Sequence, residues 1–264
     1  MDLQLTGKTA FVSGSTAGIG YAIAKRLLEE GATVIINGRN QHGVDTAIKE
    51  LKTSTGKSAV TGIPADFSKV DEVNRLISQL PPIDILVNNA GTFEPKPFSA
   101  IPDEDWFLLF EVNVMSGVRL SRHVLPRMLA ENWGRILFIS SESAVYIPTE
   151  MIHYGMTKTA QLAVSRGLAQ LTKGTGVTVN SILPGPTKSR GAGEFLGQMA
   201  KSGNTTVDEV EKAFFRDGRP SSLLQRFTST DEVANTVVYF ASPLSSATNG
   251  ASIHAEGGII NSII

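Results

Sequence analysis

The chain contains no cysteine among its 264 residues. This absence excludes disulfide bonds, catalysis by a thiolate, and zinc sites built from cysteine. Histidine is scarce as well, because the four histidines are scattered and form no H-x-x-x-H pair. The sequence therefore predicts no metal centre.

An excess of charge of one sign is also missing. Lys and Arg number 24 and Asp and Glu number 25, which gives a formal net charge of -1. Such a chain has no overall basic field that would attract nucleic acid or anionic lipid, so small-molecule partners are favoured. No apolar run approaches the roughly 18 residues of a membrane span, and the first residues lack an apolar signal core. We expect a cytoplasmic protein.

Short apolar runs rich in β-branched residues recur along the chain, bounded by Gly, Asn or Ser. They are TAFVS at 9–13, TVIIN at 33–37, AVTGI at 59–63, DILVN at 84–88, RILFIS at 135–140, VTVNSI at 177–182 and ASIHA at 251–255. Helix-like segments lie between them, and several runs are apolar enough to need cover on both faces. The pattern predicts a single α/β domain over 1–264, with a doubly wound, Rossmann-like parallel sheet of about seven strands and helices on both faces.

The segment 185–226 differs from the rest, since it mixes glycines, charges and isolated aromatic residues between two predicted strands. Long excursions from a sheet are often functional loops. We expect this insertion to form a lid over a site.

A glycine-rich stretch, SGSTAGIG, follows the first predicted strand and opens the first helix. Glycines at this place allow a tight turn, and the helix N-terminus can stabilise a pyrophosphate. The spacing departs from G-x-G-x-x-G, and a structural turn of small residues is the alternative. The expected cofactor contacts are Gly14, Ser15, Thr16, Gly18, Ile19 and Gly20.

The end of the second strand reads NGRN, with Gly38 where an NAD-binding protein would carry a carboxylate. Arg39 follows, and a guanidinium can pair with the 2'-phosphate of NADP. We therefore expect NADP to be preferred, with NAD possible. The alternative is a solvated arginine in a turn, because the glycine loop supplies no second basic residue.

Tyr154 and Lys158 lie four residues apart in HYGMTKTAQ, at the predicted start of a helix. At this spacing two side chains share a helix face, so an ammonium could favour the phenolate of a neighbouring tyrosine. Many helices carry such a pair by chance.

Further motifs give the pair its context: NNAG at 88–91, SSES from 140, YGMTK from 154, and a spacing of 28, 13 and 4 residues between Asn113, Ser141, Tyr154 and Lys158. Together with SGSTAGIG they resemble the classical short-chain dehydrogenase/reductase family over nearly the whole chain. The resemblance implies an oxidoreductase that interconverts a carbonyl and a secondary alcohol with a nicotinamide cofactor.

The same resemblance implies a role for each of the four residues. Tyr154 would be the general acid or base, and Lys158 would lower its pKa and hold the nicotinamide ribose. Ser141 would donate a hydrogen bond to the substrate oxygen, with Ser140 and Ser143 as alternatives. Asn113 would interrupt a helix and support a water that links Lys158 to solvent.

Other positions match the family as further cofactor contacts. Asp66 resembles the acid that binds the adenine amino group, although it could cap the next helix instead. Thr187 could bond the carboxamide. The remaining matches are Asn88, Ala90, Gly91, Pro184 and Gly185.

Substrate contacts are expected from the lid, 187–222, and from residues around the tetrad whose alternative role is ordinary packing. They are Phe93, Glu94, Tyr146, Ile147 and Met151. Glu142 and Glu150 would favour a cationic or hydroxyl-rich substrate if they face the pocket, and say nothing about it if they are solvated or cap a helix.

The resemblance also implies a homo-oligomer, a dimer or a homotetramer, and the apolar end HAEGGIINSII could lie in its interface or pack on its own subunit. Two other functions stay open: an NAD-dependent sugar or polyol dehydrogenase, and a catalytically silent nucleotide-sensing scaffold.

Overall fold

The computed structural model of the protein describes residues 1–263. Within this range seven strands form one parallel sheet. They are β1 (Thr9–Val12), β2 (Thr33–Gly38), β3 (Val60–Pro64), β4 (Ile85–Asn88), β5 (Gly134–Ile139), β6 (Val177–Pro184) and β7 (Ser252–Ala255). Each coincides with one of the apolar runs, so the predicted doubly wound sheet is confirmed.

Helices cover both faces of the sheet. They are α1 (Gly18–Glu29), α2 (Gln41–Thr55), α3 (Val70–Gln79), α4 (Asp103–Phe110), α5 (Ser116–Ala130), α6 (Ile152–Leu171), α7 (Arg190–Ser202), α8 (Val207–Ala213) and α9 (Thr230–Ala241). Among the described residues, no helix combines the length and apolarity needed to cross a bilayer.

Alternation along the strands divides the core into two layers. In β1, Ala10 and Val12 pack with α1 and α9 residues on one face, whereas Phe11 packs with α3 and α5 residues on the other. Successive side chains of a strand point to opposite faces, so a strand buried on both sides must be apolar throughout. This requirement explains why these runs could be recognised in the sequence.

The strand order is β3-β2-β1-β4-β5-β6-β7, so the winding reverses between β1 and β4. In open parallel sheets the loops at such a reversal separate and leave a crevice at the carboxyl ends of the strands. The glycine stretch follows β1, and the NNAG stretch begins in the last residue of β4. The fold therefore brings two of the family-like motifs to the crevice.

The segment after β6 leaves the sheet, as expected for an insertion. It contains α7, α8 and a π-helical turn at Phe214–Gly218, and a backbone bridge between Thr187 and Thr228 closes its base. An open cleft of about 650 Å³ lies between these elements. That the segment acts as a lid stays a prediction.

Candidate active site

The glycine loop approaches its neighbours too closely to carry side chains. Gly14 and Gly18 have φ angles of 59° and 61°, in the left-handed region that favours glycine. A Cβ on Gly20 would lie 2.5 Å from the Gly14 carbonyl oxygen. The loop therefore presents backbone without side chains, which a bulky ligand group can approach closely.

Neutral side chains hold this loop in place. Asn37, at the end of β2, accepts a hydrogen bond from the Gly14 N–H (3.0 Å) and donates to the Ile63 carbonyl (3.0 Å). Asn89 donates to the Gly14 carbonyl at 2.9 Å, and its own N–H donates to the Ser13 hydroxyl. Neither Asn37 nor Asn89 is among the site residues predicted from the sequence, although polar residues at the ends of apolar strands are a usable signal.

The first helix leaves its N-terminus open to a ligand. Ala17 occupies the N-cap of α1, and within the described chain no side chain caps the helix there. By contrast, Thr206 and Ser229 form capping boxes on α8 and α9. Free N–H groups and the helix dipole favour an anion, so this end fits the pyrophosphate of a dinucleotide.

The other predicted loop residues divide into backbone and packing roles. Ser15 is fully buried, and its hydroxyl donates to the Val12 carbonyl at 2.6 Å. Its backbone N–H donates to the Asn37 carbonyl at 2.8 Å, so Ser15 supports the shape of the loop. Ile19 is partly buried against the core, and the methyl group of Thr16 packs against Gly38.

The end of β2 is crowded around Gly38, the position at which an NAD-binding protein would carry a carboxylate. A Cβ on Gly38 would lie 2.4 Å from the Thr16 methyl carbon. Arg39 is exposed beside it, close enough to Asp66 to contribute to lowering the pKa of that carboxyl. Asp66 accepts bonds from the N–H and hydroxyl of Ser68, which places it in the turn before α3. Asp66 does not cap α3, because the N-cap of that helix is Lys69 and no side chain among the described residues caps it.

Asn113 lies in a π-helical turn, Glu111–Met115, between α4 and α5. Its side-chain amide bonds both backbone groups of Thr92, at 2.8 and 2.9 Å, and donates to the Thr157 hydroxyl at 3.0 Å. The helix is therefore interrupted here, as the resemblance implied, and the side chain fastens the β4 loop to α6.

The carbonyl of Asn113 has a protein partner that the sequence analysis missed. The Gln161 amide N–H donates to that carbonyl at 2.6 Å, while the Gln161 carbonyl accepts from the Lys158 ammonium at 3.3 Å. Gln161 is 1% exposed. It links Lys158 to Asn113 directly, and the water that we expected to link Lys158 to solvent stays a prediction. Only its place one helix turn after Lys158 could have indicated it.

Tyr154, Lys158 and Ser141 meet above the carboxyl end of β5. The Lys158 ammonium lies 5.5 Å from the centre of the Tyr154 ring and donates to the Ile139 carbonyl at 3.0 Å. The Ser141 hydroxyl accepts from the Ser143 N–H at 3.0 Å. Ser140 instead donates to the Lys158 carbonyl, which leaves Ser141 as the serine beside the phenol.

The electrostatics of Tyr154 differ from the expectation. Burial raises the pKa of its phenol above the ordinary 10.0, the charge of Glu142 raises it further, and a hydrogen bond with Ser141 lowers it. Burial also lowers the pKa of Lys158 to about 8. The expectation that Lys158 makes the phenol acidic is wrong for the protein without cofactor, because the ammonium is directed to Ile139 and Gln161.

Glu142 is buried, 5% exposed, so the solvated alternative is wrong for this residue. Its carboxylate accepts the Ser141 hydroxyl at 2.6 Å and pairs with Arg219 of the 185–226 segment at 3.5 Å. Glu150 is half-exposed and lies 3.9 Å from Arg219. Arg219 was missed because it is 77 residues away from Glu142.

The predicted substrate residues surround this cluster unevenly. Phe93 meets the Tyr154 ring edge-on at 5.9 Å, and the Tyr146 ring lies 5.7 Å from the Arg219 guanidinium. Glu94 pairs with Lys96 instead. Met151 and Ile147 are partly or largely exposed near the start of α6.

The remaining predicted cofactor residues lie at the same edge of the sheet. Gly91 is close to the Asn113 amide and the Lys158 ammonium, and Gly185 packs tightly on Glu256. Thr187 donates to the Gly185 carbonyl at 2.9 Å, so it would have to turn to bind a carboxamide. Asn88 and Ala90 are buried, and the Asn88 amide donates to Ser121 in α5. Pro184 ends β6, in register with Ala255.

Comparison with known proteins identifies the family to which the chain belongs. Residues 8–199 match the model of the short chain dehydrogenase family. The chain is 48% identical to the oxidoreductase YvaG of Bacillus subtilis over 263 residues, covering all of both chains. It is 30% identical to D-beta-hydroxybutyrate dehydrogenase of Cupriavidus necator, covering 97% of this chain and 98% of that one.

A solved structure of L-sorbose reductase from Gluconobacter frateurii, complexed with NADPH and L-sorbose, superposes with a TM-score of 0.92 at 28% identity and covers all of both chains. The relatives cover nearly the full length of this chain as well as their own. The chain therefore belongs to the short chain dehydrogenase family and is an oxidoreductase that acts on the CH-OH/C=O pair with a nicotinamide cofactor.

Proposed function

We propose that the protein is an NADP(H)-preferring reductase that interconverts a carbonyl and a secondary alcohol on a small molecule, with Tyr154 as general acid or base. The observation that carries this proposal is the meeting of Tyr154, Ser141 and Lys158 beside Gly91, at the crevice that also contains the glycine loop. A proton donor and a place for a nicotinamide therefore share one cleft.

In the direction of reduction, NADPH, when bound, would supply the hydride for the carbonyl carbon. Tyr154 gives its phenolic proton to the carbonyl oxygen as the carbon–oxygen π bond breaks. Ser141 donates a hydrogen bond to the same oxygen and stabilises the charge that develops on it. Lys158, with three donors, holds the ribose hydroxyls and stabilises the phenolate left after transfer. The raised pKa keeps Tyr154 protonated at neutral pH, which suits reduction.

The preference for NADP rests on the end of β2. An acidic side chain at position 38 would contact Thr16, and exposed Arg39 can pair with a 2'-phosphate. L-sorbose reductase, whose structure is similar, was solved with NADPH. The 185–226 segment serves as the lid in this proposal.

The first experiment follows NADPH and NADH absorbance with a panel of carbonyls and alcohols. We expect turnover by the wild type and a loss of about a thousandfold in kcat for Tyr154→Phe, because a phenyl ring has no proton to give. Tyr239→Phe, on α9, is the matched control and should keep full activity. Unchanged turnover of Tyr154→Phe would refute the mechanism, and NADPH binding without any turnover would favour the silent scaffold.

The second experiment compares the Kd of NADPH and NADH for wild type, Arg39→Ala and the control Arg122→Ala. Loss of the pairing guanidinium should weaken NADPH binding about tenfold and leave NADH binding nearly unchanged. A wild-type preference for NADH would favour the NAD-dependent sugar or polyol dehydrogenase instead.

We also propose a homo-oligomer, a dimer or a tetramer. Part of the apolar C-terminal segment, Ile264, lies outside the described residues. Native mass measurement tests the assembly directly.

A further inference from the structure

Glu142 occupies an unusual position for a carboxylate, since it is buried directly beside the candidate catalytic serine. Its Oε2 accepts the Ser141 hydroxyl at 2.6 Å, and its Oε1 faces the Arg219 Nε at 3.5 Å. In this arrangement the Ser141 hydroxyl donates its one hydrogen bond to Glu142. The same proton is required by the substrate oxygen in the proposed reaction.

Substrate binding therefore forces an exchange of hydrogen bonds. A hydroxyl has only one proton, so Ser141 must release Glu142 when it donates to a carbonyl oxygen. Leaving a buried carboxylate without one of its hydrogen-bond donors costs more free energy than leaving a neutral acceptor without one. The complex is favourable only if another donor reaches Glu142 at the same moment.

The lid residue Arg219 does not replace that donor. Arg219 is 6% exposed and is held by the Gly218 carbonyl at 2.8 Å and by the rings of Tyr146 and Phe214, both 5.7 Å away. Its guanidinium balances the charge of Glu142 at Oε1, whereas Ser141 bonds the other carboxylate oxygen, Oε2. The position that Ser141 vacates is left to the substrate.

We propose that Glu142 is a specificity residue that accepts a hydrogen bond from a hydroxyl on the carbon next to the reacting carbonyl, so that the substrate class is α-hydroxy ketones and the corresponding vicinal diols. This inference rests on the proposed function. The substrate carbonyl takes the Ser141 proton while its own neighbouring hydroxyl donates to Glu142. The number of hydrogen bonds to the carboxylate is then conserved.

Other substrate classes fit this site less well. A simple ketone has no donor for Glu142, and a keto acid brings a second carboxylate towards Glu142 and Glu150. A cationic substrate would compete with Arg219, which already compensates the buried charge. A neutral donor adjacent to the carbonyl satisfies Glu142 without altering the charge balance.

The test measures kcat/KM with NADPH for hydroxyacetone, methoxyacetone, acetone and acetoacetate. Methoxyacetone keeps the electron-withdrawing oxygen and removes only the O–H donor, so it controls for intrinsic carbonyl reactivity. We expect hydroxyacetone to exceed methoxyacetone at least tenfold, because a site built to bond a hydroxyl rejects the analogue that lacks it. Acetoacetate should be the poorest substrate.

Variants assign this preference to Glu142. Glu142→Ala should bring the hydroxyacetone to methoxyacetone ratio close to one, and Glu142→Gln, which keeps an acceptor oxygen and the volume, should reduce it less. Glu150→Ala is the control for negative charge alone and should keep the wild-type ratio. Thermal unfolding of each variant checks that it folds; the wild-type ratio tests the proposal even where a variant does not.

The outcomes separate this inference from the proposed function. Reduction of hydroxyacetone and methoxyacetone at equal rates would overturn the role of Glu142 while leaving the proposed carbonyl reductase intact. A preference for acetoacetate would overturn it as well. If no carbonyl or alcohol in the wider panel is turned over, the proposed function itself fails.

Discussion

The two sides of the crevice are held together by different forces. On the cofactor side, close backbone contacts at Gly14 and Gly20 and neutral bonds from Asn37 and Asn89 fix the loop. On the substrate side, the candidate catalytic groups are fixed by buried charges, Lys158 with Gln161, and Glu142 with Arg219. The first side depends on shape and the second on ionisation.

The two sides of the crevice should respond differently to pH. A glycine loop held by amides keeps its hydrogen bonds at any moderate pH, since none of its groups titrates there. Buried charges, in contrast, depend on every group around them and on whether the lid is in place. We expect the shape of the glycine loop to be insensitive to pH and catalysis to depend on pH strongly.

The largest effect should come from steric change on the cofactor side. A Cβ on Gly20 would meet the Gly14 carbonyl and the Asn89 amide nitrogen, both at 2.5 Å. We expect Gly20→Ala to weaken NADPH binding at least a hundredfold, measured by titration calorimetry, because the loop must shift away from the pyrophosphate. Gly167→Ala, at an open position on α6, should bind as the wild type does. Normal binding by Gly20→Ala would contradict the account of the loop.

The next largest effect should be on stability, from the lid. Arg219→Met leaves Glu142 buried without its cation, and breaking a buried pair in this way costs about 3 kcal/mol. Denaturant unfolding should show this loss. Arg216→Met is the control, because Arg216 is exposed and its ion pair among the described residues is with its neighbour Asp217, so it should change stability by less than about 0.5 kcal/mol. Equal losses of stability in the two variants would mean that the buried pair stabilises the fold no more than the exposed pair does.

A smaller effect should come from Gln161, which we interpret as a positioning residue for Lys158. Gln161→Leu should lower kcat about tenfold with little change in the Kd of NADPH. Loss of the acceptor disfavours the charged ammonium and lowers the pKa of Lys158 below about 8, so the decline of activity as Lys158 loses its proton should move to lower pH. Gln161→Glu supplies the opposite control, because a carboxylate should move that decline to higher pH. A change in kcat with an unaltered pH profile would indicate a purely structural role.

Much of the molecule could be predicted from sequence because the relevant signals are local. Each strand is an apolar run of its own, and the glycine loop and Tyr154 to Lys158 pair are short motifs at fixed spacing. The family resemblance then joined these motifs with Asn113 and Ser141 into one expected site. The structure places them around one crevice.

The rest depends on contacts that no local pattern encodes. Asn37 reaches Gly14 from the neighbouring strand, and Arg219 reaches Glu142 only because the 185–226 segment folds back towards the residues that follow β5. The direction of the Tyr154 pKa was missed for the same reason, since burial and Glu142 outweigh a cation four residues away. Ionisation is a property of the assembled site rather than of a motif.

The most direct test of the central claim is an ultraviolet titration of Tyr154 in the protein without cofactor. The claim is that this phenol remains protonated and so can donate to a carbonyl oxygen. The tyrosinate absorbance of wild type minus that of Tyr154→Phe should appear only above pH 10, because burial and Glu142 raise the pKa of the phenol. A tyrosinate signal that appears below pH 10 would contradict this account and restore Lys158 as the group that makes Tyr154 acidic.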